Sequence, residues 1–112
     1  MKAISLVEKG WAGARLLSLD LASKGTRVTH LVRGKLPRST LEALTPCKGV
    51  KIVSVSPQMY RVAAWLRLWA GQSTGSVGLV ITDNAKSAEW VKSAFPGLKE
   101  KVRIVAEPET PE

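Results

Sequence analysis

Short apolar runs alternate with helix-like segments along the whole chain. The C-terminal third shows this best: residues 79–81 are apolar, residues 83–84 are Asp-Asn, residues 85–95 read as a helix, and residues 102–106 are apolar again. An Asp-Asn pair favours a helix start, and the Pro-Gly pair at 96–97 ends a helix. This order predicts a βαβ unit, the unit from which parallel sheets are built.

The same order occurs at the N-terminus. Residues 3–7 and 26–32 are rich in apolar and β-branched side chains and predict the first two strands. A turn is expected over residues 8–13 and a helix over residues 14–24. Gly25 follows that helix at the position where a left-handed cap is expected.

The middle of the chain continues the pattern. Residues 50–55 predict the third strand, and residues 57–70 predict a helix. Residues 71–75 are predicted as a turn that leads to the fourth strand. A short helix is expected between the second and third strands, where Ser39 and Glu42 have the spacing of a capping box.

Five strands that alternate with helices predict an α/β fold: a Rossmann-like doubly wound parallel sheet of about five strands in a three-layer α/β/α arrangement. Residues 1–106 are interpreted as a single Rossmann-like domain and residues 107–112 as a C-terminal tail. In such sheets ligands bind at the carboxyl ends of the strands. Any small-molecule site is therefore expected among the segments at those ends, which are residues 8–13, 33–35, 54–56 and 82–84.

Composition adds limits on compartment and partners. The 112 residues include one cysteine, Cys47, so an intrachain disulfide is excluded and a reducing compartment is favoured. The apolar run at residues 3–7 is too short for a secretory or membrane-spanning segment. We therefore expect a cytoplasmic protein.

The charge is strongly positive and unevenly distributed. The net charge is +8, and residues 1–82 contain 12 Lys and Arg against 3 Asp and Glu, whereas residues 83–112 contain 5 against 6. A basic body attracts polyanions such as nucleic acid, anionic lipid headgroups and phosphorylated small molecules.

Two segments resemble a known enzyme family. Residues 10–33 read GWAGARLLSLDLASKGTRVTHLVR. Residues 77–108 contain an apolar strand, a short polar tip, a helix with a Trp, and the sequence FPGLKEKVRIVAEP at residues 95–108. Together they resemble the opening and closing segments of the N-terminal, acceptor-side domain of GT-B glycosyltransferases of the family 4 type. In that family a second Rossmann-like domain follows and binds the sugar nucleotide. The resemblance implies an acceptor-side half-domain without a donor site, which binds an acceptor or anionic ligand and does not catalyse transfer alone. A nucleotide sugar or a phosphorylated acceptor, shared with a partner domain, is the implied ligand.

Gly10, Gly13 and Arg15 open the first predicted helix and form one candidate ligand site. Backbone N–H groups at a helix start favour an anion, and the resemblance places this loop at the ligand cleft. The alternative is that both glycines only permit a tight turn and close packing. The spacing is G-x-x-G, and Arg33 stands where a dinucleotide-binding chain has an acidic residue, which argues against NAD and leaves an NADP-type phosphate open.

Arg33 and Lys35 follow the second strand and are candidates for binding phosphate or an acidic acceptor; the alternative is a solvated loop. Asp83 and Glu8 are acids placed at strand ends, where they would face a cleft. Asp83 also fits a role in capping the next helix together with Asn84.

The helix at residues 57–70 is apolar on nearly every side. One stripe is predicted to be core and comprises Met59, Val62, Ala63, Leu66 and Trp69. Arg61, Trp65 and Leu68, with Arg67, are predicted to lie on or beside the other face. That face is a candidate interface for an anionic membrane surface, a partner or a second copy of the chain, or else it is ordinary core.

No catalytic, metal-binding or cofactor-binding set is predicted. His30, the single histidine, is expected to be structural because it lies mid-strand. One histidine and one cysteine do not make a zinc site, and no G-x-S-x-G sequence occurs. Besides the transferase-like ligand-binding domain, two functions stay open: a basic interaction module for nucleic acid or an anionic membrane, and an oligomeric scaffold that uses Trp65 and Leu68.

Overall fold

The computed structural model describes residues 1–9 and 11–105 of the chain. Within these residues five strands alternate with four α-helices. In chain order they are β1 Lys2–Ser5, α1 Trp11–Ser23, β2 Arg27–Arg33, α2 Arg38–Leu44, β3 Val50–Val55, α3 Tyr60–Thr74, β4 Val77–Thr82, α4 Ala85–Ala94 and β5 Val102–Ile104, with a 3₁₀ helix at Pro96–Lys101 before β5. Gly10 and the predicted tail lie outside the described residues.

The sheet is entirely parallel, and its strand order is β3-β2-β1-β4-β5. The chain moves outward from β1 to β3, then crosses to β4 on the other side of β1. The order therefore reverses between β1 and β4, which is the switch point of a doubly wound sheet. Helices α1 and α2 pack on one face, and α3 and α4 pack on the other. The predicted three-layer α/β/α fold is confirmed.

Strand alternation divides the core into two layers. Ile4 of β1 and Leu6 just after it point towards α3 and α4, where Leu68 and Phe95 complete the layer. Ala3 and Val7 point towards α1, where Trp11 and Ala14 cover them. Both faces of β1 are buried, as expected for a central strand of a parallel sheet.

The buried face of α3 differs from the predicted stripe. Tyr60, Ala64, Leu68 and Gly71 face the sheet, whereas the predicted core residues Met59, Val62, Leu66 and Trp69 are about half exposed. The reason is close approach: a Cβ at Gly71 would collide with the Val77 side chain. Because α3 has apolar residues on every side, close packing decides which face is buried, and the face with Ala64 and Gly71 allows the closest approach to the sheet.

Several predicted boundaries also shift. Helix α1 begins at Trp11, inside the predicted turn, and α3 continues through the predicted turn to Thr74, where Gly75 ends it at φ +68°. Gly25 caps α1 at φ +86°, as predicted. The capping box is wrong, because the N-cap of α2 is Pro37 and Glu42 accepts instead from Arg38 Nε at 3.0 Å.

Candidate functional site at the switch point

A crevice of about 680 Å³ opens at the carboxyl edge of the sheet, beyond the last residues of β1 and β4. We call it the carboxyl-edge crevice. Five elements or their following loops contribute to it: β1, β2, α3, β4 and α4. Its lining consists of Glu8, Lys9, Arg33, Arg61, Asp83, Asn84, Lys86, Ser87 and Trp90. Its position is the one at which doubly wound sheets bind ligands.

Asp83 joins the two loops that frame the switch point. Its Oδ2 accepts hydrogen bonds from the backbone N–H groups of Glu8 at 3.1 Å and Lys9 at 2.6 Å. Its Oδ1 accepts from the Asn84 side-chain amide at 3.0 Å. The N–H groups at the end of β1 therefore already donate to the Asp83 carboxylate, and they are not available to bind an anion. A ligand in the crevice must be bound mainly by side chains.

Four cations line the crevice, against two carboxylates. Arg33 lies 3.8 Å from Glu8 in a partly exposed ion pair, which solvent weakens. Arg61 lies over the Trp90 ring, with its guanidinium carbon 4.8 Å from the ring centroid. A cation over an aromatic face is held in place while its N–H edge stays available. The crevice therefore has an excess of positive charge, and Arg61 is held in place before any ligand binds.

An inner recess extends from the crevice towards the core. It is lined by residues that include Leu6, Pro57, Tyr60 and Ala64, and it shares Arg33 and Arg61 with the crevice. The Tyr60 hydroxyl is buried and has no hydrogen-bond partner among the described residues. Burial, followed by the negative charges of Glu8 and Asp83, raises the pKa of Tyr60. The phenol therefore stays protonated and retains a hydrogen-bond donor.

Helix α4 begins at the floor of the crevice. Asn84 is its N-cap, and the Asn84 side-chain oxygen accepts from the Ser87 N–H at 2.7 Å. The residues of α4 that line the crevice are Lys86, Ser87 and Trp90, so one side of the first two turns faces the ligand space. The positive end of the helix dipole adds to the field of the four cations.

The predicted ligand-binding residues divide into three groups. Arg33 and Asp83 lie in the crevice, and Lys35 lies in a neighbouring recess that also contains Glu8 and Arg33. Gly13 and Arg15 belong to the body of α1 and are not among the residues lining these spaces. Gly10 lies outside the described residues.

Other lining residues were not predicted. Lys86, Ser87 and Trp90 follow Asp83 at intervals of three, four and seven residues, which is the spacing of one helix face. That spacing, counted from the strand end at Asp83, was the available signal. Lys9 belongs to the predicted strand-end segment at residues 8–13, although it was not singled out there. Tyr60 gave no comparable signal, because its position depends on how α3 packs in space.

The predicted interface residues of α3 do not share one surface. Arg61 lines the crevice, whereas Trp65 is 43% exposed and stacks on Trp69 with ring centroids 6.3 Å apart. Leu68 is fully buried in the core, so its predicted interface role is wrong. An oligomeric scaffold that uses Leu68 is excluded by the same burial.

His30 is fully buried beneath α1. The Ser18 hydroxyl donates to the Ala14 carbonyl at 2.6 Å, so His30 Nε2–H donates to Ser18 Oγ at 2.7 Å. Nδ1 is then the unprotonated nitrogen, and it has no partner in the described structure. Burial lowers the pKa of His30 to about 4. A neutral histidine held in this way is structural, as its mid-strand position suggested.

Neither a metal site nor a membrane span is found in the part of the chain that the structure describes. Residues 1–9 and 11–105 contain no cluster of three His, Cys, Asp or Glu side chains suited to a metal ion. Among the same residues, no helix has the length and apolarity needed to cross a bilayer.

Comparison of the chain with protein-family models, with curated proteins and with solved structures finds no match.

Proposed function

We propose that the carboxyl-edge crevice binds a phosphate-bearing small molecule. The observation that carries this proposal is the convergence of Arg33, Arg61, Lys9 and Lys86 on one crevice at the switch point, at the start of α4. Guanidinium groups bind phosphate through paired N–H donors, and a helix N-terminus favours the same charge.

The size and chemistry of the crevice fit such a ligand. A volume of about 680 Å³ is within the usual range of small-molecule sites. Trp90 and the inner recess supply apolar surface beside the charges, and the Tyr60 hydroxyl supplies an unused donor. A molecule with a phosphate and a less polar moiety can satisfy both regions together.

We infer binding without catalysis by this domain alone. The two carboxylates of the crevice are already engaged: Glu8 with Arg33, and Asp83 with the amides of Glu8 and Lys9. A general base needs a carboxylate positioned towards the reacting group. These carboxylates instead hold the cations and the loop in place.

The resemblance to the acceptor-side domain of GT-B glycosyltransferases supports a narrower form of the proposal. In that form the ligand is a nucleotide sugar or a phosphorylated acceptor, shared with a partner domain. The Arg33 end of the segment at residues 10–33 is the part of the resemblance that lies in the crevice. The narrower form requires that a nucleoside diphosphate sugar bind more tightly than inorganic pyrophosphate.

Calorimetric titration with pyrophosphate and with a nucleoside diphosphate sugar tests both forms. The double substitution Arg33→Gln and Arg61→Gln removes two crevice cations and should weaken binding of either ligand at least tenfold. The single substitution Arg33→Gln is compared with the control Arg15→Gln, which removes the same charge. Arg15 lies outside the crevice lining. Equal losses in Arg15→Gln and Arg33→Gln would mean that the total charge of the chain governs binding, and would contradict the crevice.

A further inference from the structure

A second concave surface lies at the opposite, amino edge of the sheet. It is a groove of about 470 Å³ between α3 and the first residues of β1, β2 and β3. We call it the amino-edge groove. Its residues are Lys2, Ile4, Arg27, Val28, Thr29, Gly49, Val50, Lys51, Arg67, Ala70, Gly71, Ser76 and Val77.

The groove exists because two helices do not cover five strands. On this face α3 lies over β2 and β4, and α4 lies over β4 and β5. Gly71 brings the end of α3 against Val77, away from β3. No residue of β3 is fully buried, so the sheet beside α3 stays open. Parallel sheets are normally covered on both faces, and here Lys2, Arg27 and Lys51 line the uncovered part beside apolar side chains.

All the charged residues of the groove are basic. Lys2, Arg27, Lys51 and Arg67 line it, and none of the described lining residues is Asp or Glu. Within the described residues none of the four forms an ion pair. Strand register places Lys2 opposite Arg27, and Lys51 opposite Thr29. Lys2 and Arg27 therefore stand side by side on neighbouring strands, which are about 4.8 Å apart. Lys51 lies on the next strand, two residues further along than Arg27.

We propose that the amino-edge groove binds the sugar–phosphate backbone of single-stranded nucleic acid. Unpaired cations along a concave surface concentrate negative charge there, and the net charge of +8 adds long-range attraction. The Thr29 and Ser76 side chains supply hydroxyl groups for phosphate oxygens. No aromatic side chain lines the groove, so the contact is with the backbone and is independent of base sequence.

The shape of the groove favours a strand over a flat membrane surface. The groove is concave and runs along the first residues of β1, β2 and β3 beside α3. A lipid bilayer presents a flat surface, which does not follow a concave groove. A single strand is flexible enough to follow a groove, as in positively charged channels that track a backbone.

Fluorescence anisotropy with a labelled 20-nucleotide oligothymidylate tests the proposal between 50 and 200 mM salt. The test variant carries Lys51→Gln and Arg67→Gln. The control carries Lys99→Gln and Arg103→Gln, which remove the same charge from residues outside the groove. For single strands, the slope of log affinity against log salt falls by about 0.7 for each lost phosphate contact. We expect the slope to fall by about 1.4 in the test variant and to remain near its original value in the control.

Two results would overturn the proposal. One is an equal loss of affinity in the two variants, which would make net charge the only cause. The other is an absence of oligonucleotide binding at 50 mM salt. This result overturns the proposal even if tripolyphosphate or phosphatidylserine vesicles bind in a groove-dependent manner. Circular dichroism shows whether each variant is folded, and pyrophosphate titration shows whether the carboxyl-edge crevice is unaffected.

Discussion

The two edges of the sheet are assembled differently. At the carboxyl edge, loops carry charges of both signs. Asp83 accepts hydrogen bonds from the Glu8 and Lys9 N–H groups, which joins two loops, and Asn84 caps α4 by accepting from the Ser87 N–H. At the amino edge, the loops are joined by backbone bonds such as Lys2 N–H to the Ser76 carbonyl at 3.1 Å. The charged residues that line the amino-edge groove are all basic and form no ion pair in the described structure. One edge is preorganised by polar contacts, and the other is held by packing.

This difference follows from the direction of a parallel sheet. Helix N-termini meet the carboxyl edge, so capping side chains and loop acceptors gather there. The amino edge receives helix C-termini, and α3 ends there in tight contact with β4. A preorganised edge can discriminate between ligands by geometry, whereas an edge of unpaired exposed cations discriminates mainly by charge.

The largest expected effect tests the packing at the amino edge. Gly71→Ala inserts a methyl group into the Val77 side chain, so α3 must move away from β4. We expect a loss of about 3 kcal/mol in the free energy of unfolding, measured by urea denaturation. Ser73→Ala, on the exposed side of α3, is the control. In an exposed helix, Gly→Ala stabilises by about 1 kcal/mol. A gain in stability at Gly71 would contradict the close contact.

Asp83→Ala tests the polar contacts at the carboxyl edge. The N–H groups of Glu8 and Lys9 and the side-chain amide of Asn84 lose their acceptor, which should destabilise the fold by about 2 to 3 kcal/mol. The same change frees two amides and removes a negative charge from the crevice. Pyrophosphate should therefore bind several-fold more tightly to the folded variant. Weaker binding would mean that Asp83 acts mainly by holding the cations in place.

Sequence pattern predicted the fold well because the fold depends on local signals. Each strand is a short apolar run, and Gly25 marks a helix end. The failures arose where the signal was not local. Ser39 and Glu42 have the spacing of a capping box, but the chain enters α2 through Pro37. In α3 two apolar stripes competed, and contact with β4 decided between them.

The site was predictable in position and only partly in composition. Strand ends identified Arg33 and Asp83, because the carboxyl edge follows from the strand order. Trp90 and Tyr60 come from helices whose rotation is set by packing, so pattern alone did not place them at the site. The amino-edge groove was not predicted either, since it results from the incomplete cover of β3.

Acidification should lower the free energy of unfolding of the whole domain, without a specific effect on either edge. The pKa of His30 is about 4 in the fold, against about 6.5 in an unfolded chain. The unfolded state therefore binds the proton first, and stability present above pH 6.5 is lost as the pH falls towards 4. Between pH 7 and pH 5 the loss should be about 2 kcal/mol. His30→Gln should remove this dependence, as measured by urea denaturation across that range. A wild-type stability that stays constant from pH 7 to 5 would contradict a buried neutral histidine.

The smallest effects are expected when each pair of substitutions is tested with the ligand proposed for the other edge. The pair Lys51→Gln and Arg67→Gln should change pyrophosphate binding less than twofold, and Arg33→Gln with Arg61→Gln should have as little effect on the oligonucleotide. The pair Lys51→Gln and Arg67→Gln should leave the free energy of unfolding within about 0.5 kcal/mol, because surface side chains without structural contacts contribute little. The pair Arg33→Gln and Arg61→Gln should lower it by about 1 kcal/mol, because it removes the partly exposed ion pair with Glu8 and the contact of Arg61 with the Trp90 ring. The edges are at opposite ends of the strands, and exposed charges beyond about 10 Å are screened at 0.1 M salt. Calorimetry and anisotropy on all four combinations measure this independence. If each pair weakened both ligands equally, the total charge of the chain would govern binding at both edges, and the structural difference between them would have no functional counterpart.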